Sequence, residues 1–90
     1  MKIVWTRHAE ERQREWEKTL HITREEIENL LTSPAQVVDG DMGILVAQGK
    51  TRDGLLRVPF VRTEDGLRII TIYWTSRIER YWEEKDEDKV

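Results

Sequence analysis

A histidine and an arginine, His8 and Arg12, stand four residues apart in the stretch TRHAEER, and Arg57, Tyr73, Arg77, Arg80 and Tyr81 follow later. Together these residue types can cleave RNA without a metal. That reaction needs a base for the ribose 2′-hydroxyl proton, an acid for the leaving oxygen and a cation for the charge on the phosphorane. Histidine can serve as acid or base. Arginine suits the cation role, because its planar fork holds two phosphate oxygens. The candidate catalytic residues are therefore His8, Arg12, Tyr73, Arg77 and Tyr81, with Arg57 and Arg80 as candidate substrate-binding groups. Each also has a plain structural reading. Arg12 can pack its stem and pair its head with a carboxylate or carbonyl. His8 can be a partly buried hydrogen-bonding residue, and Tyr73 a packing residue with a wet hydroxyl. A site requires these groups to converge, which spacing alone does not decide.

Other chemistries lack their residues. The chain has no cysteine, which excludes disulfides and thiolate zinc sites. Its two histidines, His8 and His21, match no common metal-ligand spacing. Asp39 and Asp41 flank a glycine but begin no calcium loop, because the later acidic ligands are missing. There is no glycine-rich phosphate loop and no nucleophile elbow. No metal and no cofactor is expected.

The elements that must position the candidates follow from pattern. Met1 to Trp5 is a short β-prone start. Thr6 can cap a first helix, in which Trp5, Ala9, Arg12, Trp16 and Leu20 recur at steps of four and three. Arg12 thus falls in the middle of the apolar stripe. Its guanidinium is expected to reach the region of Thr75 to Arg77. In a second helix Thr23 and Glu26 form a capping box, and Ile22 and Ile27 a hydrophobic staple. Pro34 should stop that helix near Thr32 or Ser33.

AQVV is a short extended piece. ILVAQG, LLRVPFVR and LRIITIYW read as three strands, rich in β-branched and aromatic residues. KTRDG and RTEDG join them, each ending in an Asp-Gly whose glycine is expected to supply positive φ. Such short connections predict an antiparallel meander. Pro59 cannot donate to a ladder, so a bulge or an unpaired edge is expected there. Alternation sets Ile70, Ile72 and Trp74 on one face, with Thr71 and Tyr73 on the other. Thr75 or Ser76 can cap a last short helix with Arg77, Arg80 and Tyr81 on one side. The predicted fold is α+β: two N-terminal helices packed on a three- to four-stranded antiparallel sheet (meander), with a short C-terminal helix. One domain spans residues 1–90. Ile27, Leu30, Leu31, Val46, Val58, Phe60, Ile70, Ile72 and Trp74 should form much of the core.

Charged residues make up 37% of the chain and the net charge is −3, unevenly spread. Residues 50–82 hold seven basic and four acidic groups. The last eight, EEKDEDKV, hold five acids and two lysines and are expected to fray. The basic half fits either an ordinary solvated surface or a phosphate-binding face. No apolar run approaches the roughly 20 residues of a membrane span, so no membrane partner is expected. The N-terminus lacks the apolar core of a signal peptide, and the cytoplasm is the expected compartment.

The motifs recur in a recognisable order. His8, Ala9 and Arg12 open the first helix. Ile22, Thr23, Glu26 and Ile27 enter the second, and Ser33 and Pro34 end it. Thr75, Ser76 and Arg77 precede Tyr81. Over roughly residues 6–84 this resembles the RelE/BrnT-like toxin superfamily. It is more closely similar to a "domain of unknown function" branch of small bacterial proteins that carry a His-Ala-x-x-Arg motif. Lys18 to His21 replace the Arg-Gly pair usual before the second helix, so any role of that arginine is lost. The resemblance implies a toxin-like, metal-independent mRNA endoribonuclease of a toxin–antitoxin pair. RNA would be its substrate, and a separate antitoxin protein on the basic face its partner. The alternative is a non-catalytic protein-interaction module, or a degenerate toxin homologue, that uses the same face.

Overall fold

The structure, a computed structural model, describes residues 1–84. Strand β1 (Lys2–Trp5) precedes helices α1 (Arg7–Leu20) and α2 (Arg24–Thr32). Strand β2 (Gln36–Asp39) leads through a short 3-10 turn to β3 (Leu45–Thr51), β4 (Gly54–Thr63), β5 (Gly66–Ile69) and β6 (Tyr73–Thr75). Helix α3 (Ile78–Tyr81) follows. The sheet runs β1-β5-β4-β3-β2, and β6 extends the line of β5 along the first half of β4. Strands β2 to β5 form the expected antiparallel meander. The sheet is nevertheless larger than three to four strands and is mixed, because β1 returns to pair with β5 in parallel. Glycine makes that pairing possible. A Cβ on Gly66 would lie 1.8 Å from the Lys2 carbonyl oxygen.

Local signals start both helices. Thr6 Oγ1 accepts from the Ala9 amide at 3.1 Å, and Thr23 Oγ1 from the Glu26 amide at 3.1 Å. The second contact is half of the expected box. Glu26 does not reach back; its carboxylate binds Arg52 instead, at 2.6 and 2.9 Å. That hydrogen bond raises the Arg52 pKa. Arg52 also donates to the carbonyls of Leu20 and His21, so the β3–β4 turn clamps the connection between the helices. Positive φ in this turn belongs to Arg52 (56°) and Asp53 (57°), the pattern of a type I′ turn. Gly54 is needed for another reason. Trp74 packs on it, and a Cβ there would lie 2.4 Å from the indole.

Both helices cover one face of the sheet. Ala9, Ile22, Ile27 and Leu31 meet Ala47, Leu56, Val58, Phe60, Leu67, Ile69 and Ile72 in a single core. The register puts those strand residues on one side, with Ala47 opposite Val58 and Phe60 opposite Ile69. Leu30 and Trp74 pack against this core, partly buried. Val46 is buried on the other face, paired with Val38.

Pro59 marks a bulge, as its missing N–H requires. Val58 and Pro59 face three residues, Ile70 to Ile72, and the Pro59 carbonyl accepts from the Ile70 amide at 2.8 Å. The additional residue shifts the alternation. Leu67 and Ile69 point inward before it, and Ile72 and Trp74 after it. Ile69 therefore takes the core place expected of Ile70.

The N-cap Thr6 and two α1 side chains dock on this bulge. Thr6 Oγ1 donates to the Ile69 carbonyl, and Trp16 Nε1 to the Ile72 carbonyl, both at 2.9 Å. His8 Nε2 bonds Thr71 Oγ1 at 3.1 Å. The helix thus supplies partners to a stretch that the bulge has taken out of the ladder. Arg12 has no part in this, contrary to expectation. It pairs with Glu15 at 3.1 Å, and its side chain is 39% exposed. Gln13 takes the inward position. It is 5% exposed and donates to the Ile22 carbonyl at 2.9 Å. Trp16→Phe should therefore cost about 1 kcal/mol through the lost bond. Arg12→Ala should stay within about 0.5 kcal/mol, as exposed i,i+3 pairs do. Urea midpoints compare the two; a larger loss in Arg12→Ala would contradict this docking.

At the C-terminal end, Gln36 holds the Glu83 backbone from both sides. Its Oε1 accepts from the amide at 2.9 Å, and its Nε2 donates to the carbonyl at 2.8 Å. The rest of the expected acidic tail, 85–90, lies outside the described residues. Among those described, no helix is long and apolar enough to cross a membrane.

Candidate functional site

The second face of the sheet carries the polar cluster. By register the strands place Lys2, Lys50, Arg57 and Arg68 on this face and contribute no carboxylate to it. Gln36, Gln48 and Tyr73 share the face, and the α3 segment folds back across it.

Arg57 is the centre of the cluster. It is 9% exposed, held in the middle of the longest strand. Its Nε donates to Gln48 Oε1, and its Nη1 to the Tyr73 hydroxyl. The guanidinium carbon lies 4.1 Å from the centre of the Tyr81 ring and 5.2 Å from that of Tyr73. The two tyrosine rings meet edge to face, 6.4 Å apart. Gln48, fully buried, donates to Gln36 Oε1 at 2.8 Å and to the Tyr81 carbonyl at 3.1 Å. Two side-chain amides thereby fix the chain that brings Tyr81 over Arg57.

The electrostatics are unbalanced. Burial pushes the Arg57 pKa down, and Tyr81 offsets part of that. Ion pairs among the described residues join Arg7 to Glu11, Arg12 to Glu15, Arg24 to Glu10 and Arg52 to Glu26; none involves Arg57. Its Nη2 has no protein partner among them and reaches solvent, since no buried side-chain nitrogen or oxygen is left unsatisfied among the described residues. Buried cations are usually paired, because a neutral surrounding returns little of the lost hydration. What fits here is an anion. A phosphate could take the Nη2 donors, with the Tyr73 hydroxyl beside it.

The structure thus brings Arg57, Tyr73 and Tyr81 together. Arg80 is adjacent, its guanidinium 5.6 Å from the Tyr81 ring, and is exposed. Arg77 is also exposed; its backbone amide donates to Thr75 Oγ1. His8 and Arg12 belong to α1, on the other face of the sheet. No hydrogen bond or ion pair links either to the cluster. Gln48 and Gln36 are the additions that sequence reasoning did not supply. Hairpin arithmetic could have found the first: a two-residue turn at Arg52 and Asp53 sets Thr51 opposite Gly54, and hence Gln48 opposite Arg57. Among the described residues, no three His, Cys, Asp or Glu side chains gather where they could hold a metal ion.

Comparison with known proteins finds no match to the chain among family models, curated proteins or solved structures.

Proposed function

We propose that the protein is a toxin-like, metal-independent endoribonuclease that holds the RNA phosphate at Arg57. The observation that supports this is a buried arginine surrounded by Gln48, Tyr73 and Tyr81, with no carboxylate partner among the described residues. In this reading the Nη2 donors of Arg57 bind a non-bridging phosphate oxygen and stabilise the charge that develops there. Tyr73 orients the guanidinium. Tyr81, stacked on Arg57 and close to Arg80, places its hydroxyl for proton transfer or positioning. Arg80 and Arg77 draw in the flanking phosphates. Proton removal from the 2′-hydroxyl, as its oxygen attacks phosphorus, falls to Tyr81 or to water, and water protonates the 5′ oxygen that leaves, since His8 is committed to Thr71 on the far side. A separate antitoxin protein would cover this face in the cytoplasm.

The position of His8 also favours a second reading. A cluster with no histidine in contact with it suits a non-catalytic protein-interaction module on the same face.

The test is a labelled single-stranded RNA incubated with the purified protein, with and without EDTA. The ribonuclease reading expects cleavage that EDTA does not affect. Arg57→Met should reduce it by about 10²–10³-fold, the usual loss for one anion-stabilising donor. His8→Ala should leave it nearly unchanged. Circular dichroism checks that each variant is folded. Absence of both cleavage and binding by the parent protein would reject the RNA reading and leave the protein-partner module.

A further inference from the structure

A second site lies away from Arg57, where β3 outruns its neighbour. The β2–β3 ladder starts at Gln36 opposite Gln48, so Gly49, Lys50 and Thr51 have no partner strand on that side. The backbone polarity of this edge can be worked out. The Gly40 amide donates to the Ile44 carbonyl, and the Ala35 amide to the Gln48 carbonyl. Even-numbered residues of β3 therefore direct their N–H and C=O toward β2. Lys50 continues that series. Its amide and carbonyl point out of the edge, with no backbone partner among the described residues.

This edge forms one wall of a groove of about 430 Å³. The opposite wall is α2 and its end, with Asn29, Leu30 and Ser33, and Leu56 lies at the base. Gly49 lets Leu30 close onto the strand; a Cβ there would come within 2.8 Å of Leu30 Cδ1.

We propose that an extended segment of a partner protein, alternating apolar and acidic residues, adds to the sheet in this groove as a strand opposite Lys50. The register dictates the alternation. A residue opposite Gly49 points into the groove, where an apolar side chain meets Leu30 and Leu56. The next residue, opposite Lys50, points to the second face of the sheet. There the Lys50 ammonium stands 4.3 Å from the centre of the Trp82 ring, and no carboxylate pairs with it among the described residues. An acidic side chain is its matching cross-strand neighbour. The exposed amide and carbonyl of Lys50 then gain ladder bonds, as in other cases of strand addition. This proposal does not rest on the RNA reading.

The experiment is an NMR titration of the full isotope-labelled chain with the capped peptide acetyl-Val-Asp-Leu-amide, whose three residues match the free edge at Gly49, Lys50 and Thr51. The Lys50 amide should exchange fast in the free protein and become protected on addition of peptide. Saturable shifts should centre on Gly49, Lys50 and Leu30. N-methylation of the peptide's Asp amide should weaken binding roughly fivefold or more, the equivalent of one lost hydrogen bond. A peptide with Lys in place of Asp should bind more weakly, and K50E should reverse the preference between the two. Four results would overturn the proposal. These are a Lys50 amide already protected in the free protein, no saturable shift at millimolar peptide, equal binding of the N-methylated peptide, and self-association of the protein through the same residues, which would assign the edge to a second copy.

Discussion

Gly66→Ala should lower stability by about 3 kcal/mol or more, above the usual range for overpacking, because the clash is with backbone. The new Cβ would meet the Lys2 carbonyl oxygen at 1.8 Å and the Lys2 nitrogen at 2.6 Å. No rotamer relieves that contact, so β1 must leave. With it go the Lys2 amide bond to the Asp65 carbonyl, the packing of Ile3 and Trp5, and the Trp5 Nε1 bond to Glu28 at 2.8 Å. Leu67 and Ile69, now 2% and 0% exposed, would lose their cover. Arg24, which stacks on Trp5 at 4.3 Å, loses its platform as well. Urea unfolding measures the loss. A chain starting at Thr6 should be destabilised to a similar degree, and Gly66→Ala should add little to that truncated chain. A cost under about 1 kcal/mol would mean that β1 does not lie against Gly66.

This prediction concerns the part of the fold that sequence reasoning could not reach. The caps at Thr6 and Thr23 and the bulge at Pro59 were legible because each depends on residues within one turn or one ladder step. The β1–β5 pairing joins residues about sixty positions apart, and nothing in KIVW names its partner. The phase of α1 was ambiguous for a different reason. Arg12 and Gln13 each continue the stripe between Ala9 and Trp16 at steps of three and four, and Gln13 takes the inside because the helix connection offers it the Ile22 carbonyl. Ile70 and Ile69 exchanged roles through the additional residue of the bulge, whose position Pro59 announced but whose effect on phase depends on where pairing resumes. In the candidate site, Arg57 and Tyr73 are cross-strand neighbours. Tyr81 joins them only because Gln48 and Gln36 draw the α3 segment back over the second face. His8 carries the most suggestive side chain in the sequence, yet its helix sits on the opposite layer.

Arg57→Met should separate stability from RNA recognition. A structural arginine in a buried ion pair leaves an uncompensated charge when its pair is broken, at a cost of about 3–5 kcal/mol. Arg57 has no carboxylate to leave behind among the described residues. Methionine retains most of the stem and removes the buried charge. The losses are the bonds to Gln48 Oε1 and the Tyr73 hydroxyl and the stacking against Tyr81, about 1–3 kcal/mol if the Gln48 oxygen stays unsatisfied. The gain is the removed desolvation, which is several kcal/mol for a buried ion. The two nearly cancel, so the urea midpoint of Arg57→Met should match or exceed that of the parent. Recognition should respond differently. A single-stranded RNA present at a hundred times its Kd should stabilise the parent by about 2.7 kcal/mol through linkage. The same concentration should leave the methionine variant almost unmoved. Salt should weaken the parent's RNA-dependent gain, as it does for phosphate contacts generally. A large loss of stability in Arg57→Met with the RNA-dependent gain intact would make Arg57 a structural residue and remove the phosphate site on which the ribonuclease reading depends.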